Sequence, residues 1–278
     1  MSIFQAFILG IIQGLTEFIP VSSTAHLLIG QEVLGIPSSD AMFAFLILVQ
    51  WGTLVSLFIY FGKGLLDLLK AFFASLQDIK RLKDFEKLPQ DAKLAWLTII
   101  ATVPALIAGY LLKDALEALF KTPLLAASVR LFAAAILLSF AEWQGKRTRG
   151  EEEMTPFDAF VVGLFQVFAV FPGASRSGST IAGGLLRGFT REASARFAFL
   201  MSIPVMLAAG AYESLDLIHM SGLGDFLPVL AVGFISAAIV GWAAIRWLMA
   251  YLSKHSLYSF AVYCAVLASV VLSIYFLG

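Results

Sequence analysis

Glu17, Ser23 and His26 lie close together in the stretch QGLTEFIPVSSTAH, Gln13 to His26, inside an otherwise apolar N-terminal segment. A hydroxyl, an imidazole and a carboxylate can serve as nucleophile, acid–base group and orienting group in nucleophilic catalysis. Gln13 and Glu17 are four residues apart and share a helix face, while Ser22 and Ser23 precede His26 by four and three residues on a following half-helix. Thr24 adds a third hydroxyl to the same turn. A second cluster, PGASRSGST from Pro172 to Thr180, carries different chemistry. Its glycines, Gly173 among them, let backbone approach a ligand closely; Ser175 opens a half-helix and Arg176 projects from its first turn. Free N–H groups and the positive end of the helix dipole attract an anion there, and a guanidinium adds bidentate contacts to phosphate oxygens. Ser175, Ser177 and Thr180 supply further donors. A buried arginine at a helix N-terminus needs something negative beside it, which either a ligand or Glu17 provides.

The elements that carry these clusters belong to a membrane protein. The chain has 278 residues, of which 60% are hydrophobic and 14% charged, and its mean hydropathy is +0.89; soluble domains average about 25% charged residues. With 19 Lys+Arg against 19 Asp+Glu, net charge gives no electrostatic case for a nucleic-acid partner. The single cysteine, Cys264, excludes an intrachain disulfide. The N-terminus MSIFQAFILGII lacks the basic region and small-residue cleavage site of a signal peptide and reads as mature structure.

A span takes about 20 mostly apolar residues, and six stretches qualify: roughly 41–61, 93–113, 124–142, 192–212, 226–248 and 257–277. Two further apolar regions, 3–34 and 157–188, are broken near the middle, by Pro20 before Ser22-Ser23-Thr24 and by Pro172-Gly173 before Ser175-Arg176-Ser177. A proline followed by serine stops one helix and caps the next, so both regions read as re-entrant hairpins of two half-helices. Gly10, Gln13, Phe18 and Ser22 recur 153 positions later as Gly163, Gln166, Phe171 and Ser175, and FAFL occurs at Phe43–Leu46 and again at Phe197–Leu200. The expected fold is therefore an all-α polytopic membrane protein, six transmembrane helices and two hairpins in one domain over 1–278, with internal repeats at about 1–150 and 151–278. One hairpin and three spans per half make the repeat inverted. Lys63, Lys70, Lys80, Arg81, Lys83 and Lys87 before the second span, and Lys146, Arg147 and Arg149 before the second hairpin, mark one side as cytoplasmic. The opposite loops at 35–40 and 213–225 have no Lys or Arg, and the loop between the second and third spans has only Lys113 and Lys121. Both termini are then extracytoplasmic, and the hairpins enter from opposite faces so that their tips meet near the midplane. Residues 62–92 read as an amphipathic cytoplasmic connection, Arg187, Arg191 and Arg196 as interface anchors, and Arg130 as a snorkelling or packing residue.

Two positive helix ends and Arg176, set against one carboxylate and one imidazole, fit a multiply charged anion, and the apolar spans fit a lipid tail attached to it. The nucleophilic set points to hydrolysis of a phosphate head. QGLTEFIPVSSTAH resembles the (Glu/Gln)-x-x-x-Glu and following Ser/His segment of the undecaprenyl pyrophosphate phosphatase family of the bacitracin-resistance type, and PGASRSGST is similar to its PGxSRSxxT motif. The resemblance covers the whole chain in length and repeat layout. It implies an enzyme of the bacterial cytoplasmic membrane that removes the terminal phosphate of undecaprenyl pyrophosphate and recycles the lipid carrier for peptidoglycan synthesis. It also implies divalent-cation dependence, and bacitracin resistance on overproduction.

Carried over by position, the resemblance makes Glu17, Ser23, His26 and Arg176 catalytic, and Gln13, Ser22, Thr24, Gly173, Ser175, Ser177 and Thr180 substrate-binding. Gln13 occupies the first motif position, where it cannot act as a base or an anionic ligand, so Glu17 must supply whichever of those roles is needed. Without the Cys/His spacing of a zinc site, the expected cofactor is a hard Mg or Ca ion bridged to pyrophosphate oxygens, with Glu17 as its protein ligand. Ser23 or His26 attacks the terminal phosphorus, Ser23 being the first choice, and the site opens to the extracytoplasmic side. The rival expectation is a transporter or flippase of an anionic polyprenyl phosphate lipid, since inverted repeats with broken helices also build transporters. The oligomeric state is left open by the sequence.

Overall fold

The computed structural model describes residues 1–77, 85–111, 123–170, 175–217 and 222–277. Gly173, Pro172, Phe171 and the loop lysines and arginine at Lys80, Arg81, Lys83, Lys113 and Lys121 lie outside the described residues. Among the described residues the α-helices are α1 (Ile3–Phe18), α2 (Ser23–Val33), α3 (Asp40–Leu48), α4 (Gln50–Leu76), α5 (Gln90–Leu111), α6 (Pro123–Gln144), α7 (Pro156–Val170), α8 (Arg176–Leu186), α9 (Arg191–Leu217), α10 (Leu223–Leu252) and α11 (Tyr258–Leu277). Among the described residues there is no β-strand, only an isolated bridge between Arg149 and Phe189. Among the described residues, six helical stretches are long and apolar enough to cross a membrane: Asp40–Leu76, Gln90–Leu111, Leu124–Gln144, Arg191–Tyr212, Leu223–Leu252 and Tyr258–Leu277. They coincide with the six expected spans, and the chain is an all-helical, multi-pass membrane protein. The first span runs on as helix to Leu76 after a kink at Gly62, whose φ of 38° is cheap only for glycine.

The two shorter apolar helices, α1 and α7, start in the same way. Ser2 and Gln5 exchange capping bonds: the Gln5 backbone N–H donates to Ser2 Oγ at 3.2 Å and the Ser2 N–H to Gln5 Oε1 at 2.7 Å. Thr155 and Asp158, 153 positions further on, do likewise at 3.2 and 3.0 Å. Each such box satisfies N–H groups that the first helical turn leaves without acceptors. α1 stops at Phe18 because Ile19 turns extended and Pro20 has no N–H. Ser22, held at φ 67°, then caps α2 by accepting the Ala25 N–H. Ser175 caps α8 by accepting the Gly178 N–H at 3.1 Å. α2 and α8 both end before a left-handed glycine, Gly35 at φ 62° and Gly188 at φ 87°.

Packing pairs the elements crosswise: α1 lies along α10 and α7 along α5, α4 touches both α5 and α10, and α6 packs on α11, α2 and α8. The α1–α10 approach depends on Gly10, where a Cβ would run into the Gly233 carbonyl oxygen and the Ser236 hydroxyl. Gly10→Ala is expected to destabilise the protein by about 1–3 kcal/mol through overpacking, seen as a lower melting temperature in detergent. Gly64→Ala, with nothing within 4 Å of the added methyl, should not lower it.

Candidate active site

The break between α1 and α2 and the start of α8 meet. The Arg176 guanidinium donates through Nη2 to Glu17 Oε1 across this junction, and Ser177 Oγ donates to the Ile19 carbonyl at 3.3 Å. A Cβ on Gly178 would stand 3.6 Å from the Pro20 ring. Glu17 is the hub. Its Oε2 accepts from Gln13 Nε2 at 2.6 Å and from Ser23 Oγ at 2.8 Å, and its side chain is 3% exposed against 18% for Arg176. Ser23 and Arg176 are each the first residue of their helix, and from these two helix N-termini their side chains reach the same carboxylate. A charge buried to this degree needs a partner, and here the carboxylate and guanidinium supply each other's. Phe18 is held beside this hub by an edge-to-face contact with Phe199 of the second FAFL, centroids 5.3 Å apart.

The other expected residues fall into two groups. Ser175 and Ser177 lie at the junction, their hydroxyls 3.2 Å apart. Thr180 turns back to its own helix, donating to the Arg176 carbonyl at 2.8 Å, and so supports the turn that carries the arginine. Gln13 also donates to Thr53 Oγ1 at 3.5 Å, and its buried Oε1 has no hydrogen-bond partner among the described residues. Thr24 is half-buried beside Ser23. His26 is not joined to the Glu17 cluster: its Nδ1 is 2.9 Å from the Ser22 carbonyl oxygen and its Nε2 2.8 Å from the Tyr263 hydroxyl of α11. Tyr263 was not singled out in the sequence, where it is an ordinary aromatic residue in an apolar span.

No group of three His, Cys, Asp or Glu side chains converges to hold a metal among the described residues. In donor chemistry alone, the Glu17 carboxylate and the Gln13 amide oxygen, which has no hydrogen-bond partner among the described residues, suit a hard divalent cation that takes its remaining ligands from phosphate and water.

Ionic contacts at the far end fix α8 in place. Asp158, with a side chain 1% exposed, accepts from Arg149 Nη2 and Arg187 Nε, each at 2.7 Å, and from the Thr155 hydroxyl at 2.8 Å. Arg149 also donates to the Arg187 carbonyl at 3.0 Å. Glu142 accepts from Arg191, from Arg147 and from the Leu257 N–H, and Arg196 pairs with Glu151 at 3.3 Å. Arg187, Arg191 and Arg196 are thus ion-paired, each with an acidic residue distant in the sequence, Asp158, Glu142 and Glu151. Arg130, 2% exposed, is in the core and does not snorkel. Burial opposes ionisation of Asp158, but the hydrogen bonds from Arg149, Thr155 and Arg187 outweigh it and hold the carboxyl well below the usual carboxylate range. A depressed folded value means that the stabilisation is present above the unfolded value of about 3.9 and is lost as pH falls through the folded one. Acid titration of melting temperature should therefore show a fall below about pH 4 that is smaller in Asp158→Asn, which starts from a lower plateau.

The chain matches known proteins over almost its full length. The family model described as "Bacitracin resistance protein BacA" matches residues 6–270. A protein named undecaprenyl-diphosphatase from Alkaliphilus metalliredigens is 40% identical over 273 residues, 98% of each chain. Proteins of the same name from Syntrophobacter fumaroxidans and Rubrobacter xylanophilus are 37% and 39% identical, in each case over 98% of this chain and 97% of the relative.

Proposed function

This chain belongs to the bacitracin resistance protein BacA family, and from that premise we propose that it hydrolyses undecaprenyl pyrophosphate to undecaprenyl phosphate and inorganic phosphate. The reading returns a lipid carrier to cell-wall synthesis. The observation that carries it is the junction itself, where a serine hydroxyl donates to a buried carboxylate that also holds an arginine. An anion carrier would need the arginine but no activated hydroxyl, so the junction favours the enzyme over a flippase.

In the mechanism, Arg176 and the N–H groups opening α2 and α8 bind the terminal phosphate. Arginine has five N–H donors, and the bond to Glu17 leaves others for phosphate oxygens. Ser23 Oγ attacks the terminal phosphorus, its proton passing to Glu17 Oε2 at 2.8 Å, and the bond to the bridging oxygen breaks to release undecaprenyl phosphate. Arg176 stabilises charge on the equatorial oxygens as this happens. Water then cleaves the phosphoserine. Ser23 is preferred to His26 as nucleophile because both His26 ring nitrogens are engaged elsewhere. Ser175 and Ser177 complete the phosphate cradle, with Gly173 included from the sequence motif alone. A Mg or Ca ion, held by Glu17 and Gln13 Oε1, would neutralise pyrophosphate charge; chelation should then abolish activity and either ion restore it.

The proposed architecture is an inverted repeat of two re-entrant hairpins, α1–α2 and α7–α8, each followed by three spans. Support comes from the crosswise packing of α1 on α10 and α7 on α5, from the matching capping boxes, and from the left-handed glycines after α2 and α8. In this reading residues 63–87 and 146–149 are cytoplasmic and both termini lie outside the bacterial cytoplasmic membrane, which the Lys and Arg of those two stretches support. A membrane-impermeant thiol reagent on intact cells should label Ser38→Cys and spare Lys70→Cys.

Purified protein in detergent, where no gradient exists, should release phosphate from farnesyl pyrophosphate. Binding without release would leave the transport reading. Phosphate trapped on histidine, or no covalent adduct under quench conditions, would remove Ser23 as nucleophile.

A further inference from the structure

His26 occupies the first turn of α2, three residues beyond Ser23. The Ser22 carbonyl oxygen receives two groups from it, the backbone N–H at 3.2 Å and ring Nδ1 at 2.9 Å. A carbonyl oxygen only accepts, so Nδ1 carries the hydrogen. On the neutral ring Nε2 is then an acceptor, and the Tyr263 hydroxyl donates to it at 2.8 Å. The two rings lie almost parallel, 7° apart with centroids separated by 5.7 Å. The result is a line of hydrogen bonds from α11, through the imidazole, to the peptide that joins Ser22 to Ser23.

That peptide follows an unusual residue. Ser22 has φ 67° and ψ 88°, a left-handed conformation that a residue with a Cβ adopts only where its surroundings hold it. The direction of the chain at Ser22 decides where α2 begins and hence where Ser23 Oγ points. With the turn held, that hydroxyl sits on Glu17 at 2.8 Å.

We propose that His26 and Tyr263 are positioning residues for Ser23: the Tyr263 hydroxyl fixes the imidazole as the Nδ1–H tautomer, and the imidazole locks the left-handed Ser22 turn that aims Ser23 at Glu17. The imidazole acts here as a hydrogen-bond strut and forms no bond to phosphorus. The inference rests on the phosphatase reading, in which Ser23 is the nucleophile, and it adds a residue from the last span that neither motif contains.

Asparagine separates this role from acid–base or nucleophilic use of His26, because its amide can donate to the Ser22 carbonyl but has no basic nitrogen. His26→Asn is expected to retain at least about 10-fold more turnover than His26→Ala, and Tyr263→Phe to lose about 10- to 100-fold in kcat with KM unchanged, as expected for a misaimed reacting group. The pH profile of kcat should keep its shape in His26→Asn. Melting temperatures of all three variants identify any that fail to fold, and for these the nitrogen spectrum of wild type decides alone: with 15N-labelled histidine, the His26 signal should report hydrogen on Nδ1. Hydrogen on Nε2, or a folded His26→Asn as inactive as His26→Ala, would overturn the proposal. The spectrum is independent of turnover, so a wild-type protein that releases no phosphate would sink the phosphatase reading while leaving the hydrogen-bond line to be judged separately.

Discussion

Arg176→Lys is expected to lower turnover of a polyprenyl pyrophosphate by about 1,000-fold, in the range known for arginines that stabilise phosphoryl transfer, while the protein stays folded. Two demands meet on this side chain. It neutralises Glu17, whose side chain is 3% exposed, and it must also grip phosphate oxygens as charge develops on them. A guanidinium meets both because its donors point in fixed, separate directions, and Nη2 alone is spent on Glu17. A lysine ammonium can still satisfy the carboxylate, so the buried charge stays compensated, but from one point it cannot also fork two phosphate oxygens. Arg176→Ala is less informative, since an unpartnered buried carboxylate costs about 3–5 kcal/mol by itself and lost fold would be mistaken for lost chemistry. Near wild-type kcat in the lysine variant would take Arg176 out of the mechanism and leave it as Glu17's counter-ion.

This pairing was half legible in the sequence. The order of residues around Arg176 demands a negative partner, and Glu17 is one of two candidates; that the two meet depends on where the break at Pro20 directs the chain. The six spans were legible because each is a long apolar run, and the interruptions at Pro20 and Ser22 because proline and serine act locally. Asp158 stands in the apolar stretch 157–188 without a local sign of its role, because its partners Arg149 and Arg187 lie 9 and 29 residues away and only the fold brings them together. Tyr263 had no local signal at all. A tyrosine in a span is usually packing or an interface anchor, and its hydroxyl becomes informative only once α11 is seen to stand next to His26.

Glu17→Gln should separate turnover from binding in opposite directions. The carboxylate gathers Gln13 Nε2, Ser23 Oγ and Arg176 Nη2, and glutamine keeps its shape while removing the charge. Ser23 then lacks its proton acceptor, and kcat is expected to fall by about 100- to 10,000-fold, the usual worth of a positioned acid–base group. Arg176 loses its partner at the same moment, next to two positive helix ends, and the junction acquires an uncompensated positive charge. Unliganded Glu17→Gln should therefore melt below wild type, and inorganic pyrophosphate should raise its melting temperature by more than it raises that of wild type, since an anion that binds only the folded state stabilises in proportion to its affinity. Measuring both in chelator separates this charge balance from any metal held by Glu17, whose loss would weaken pyrophosphate binding instead of strengthening it. If the melting temperature of Glu17→Gln is indifferent to pyrophosphate, the two helix ends and Arg176 do not form an anion site, and the carboxylate has some task other than holding that site neutral until substrate arrives.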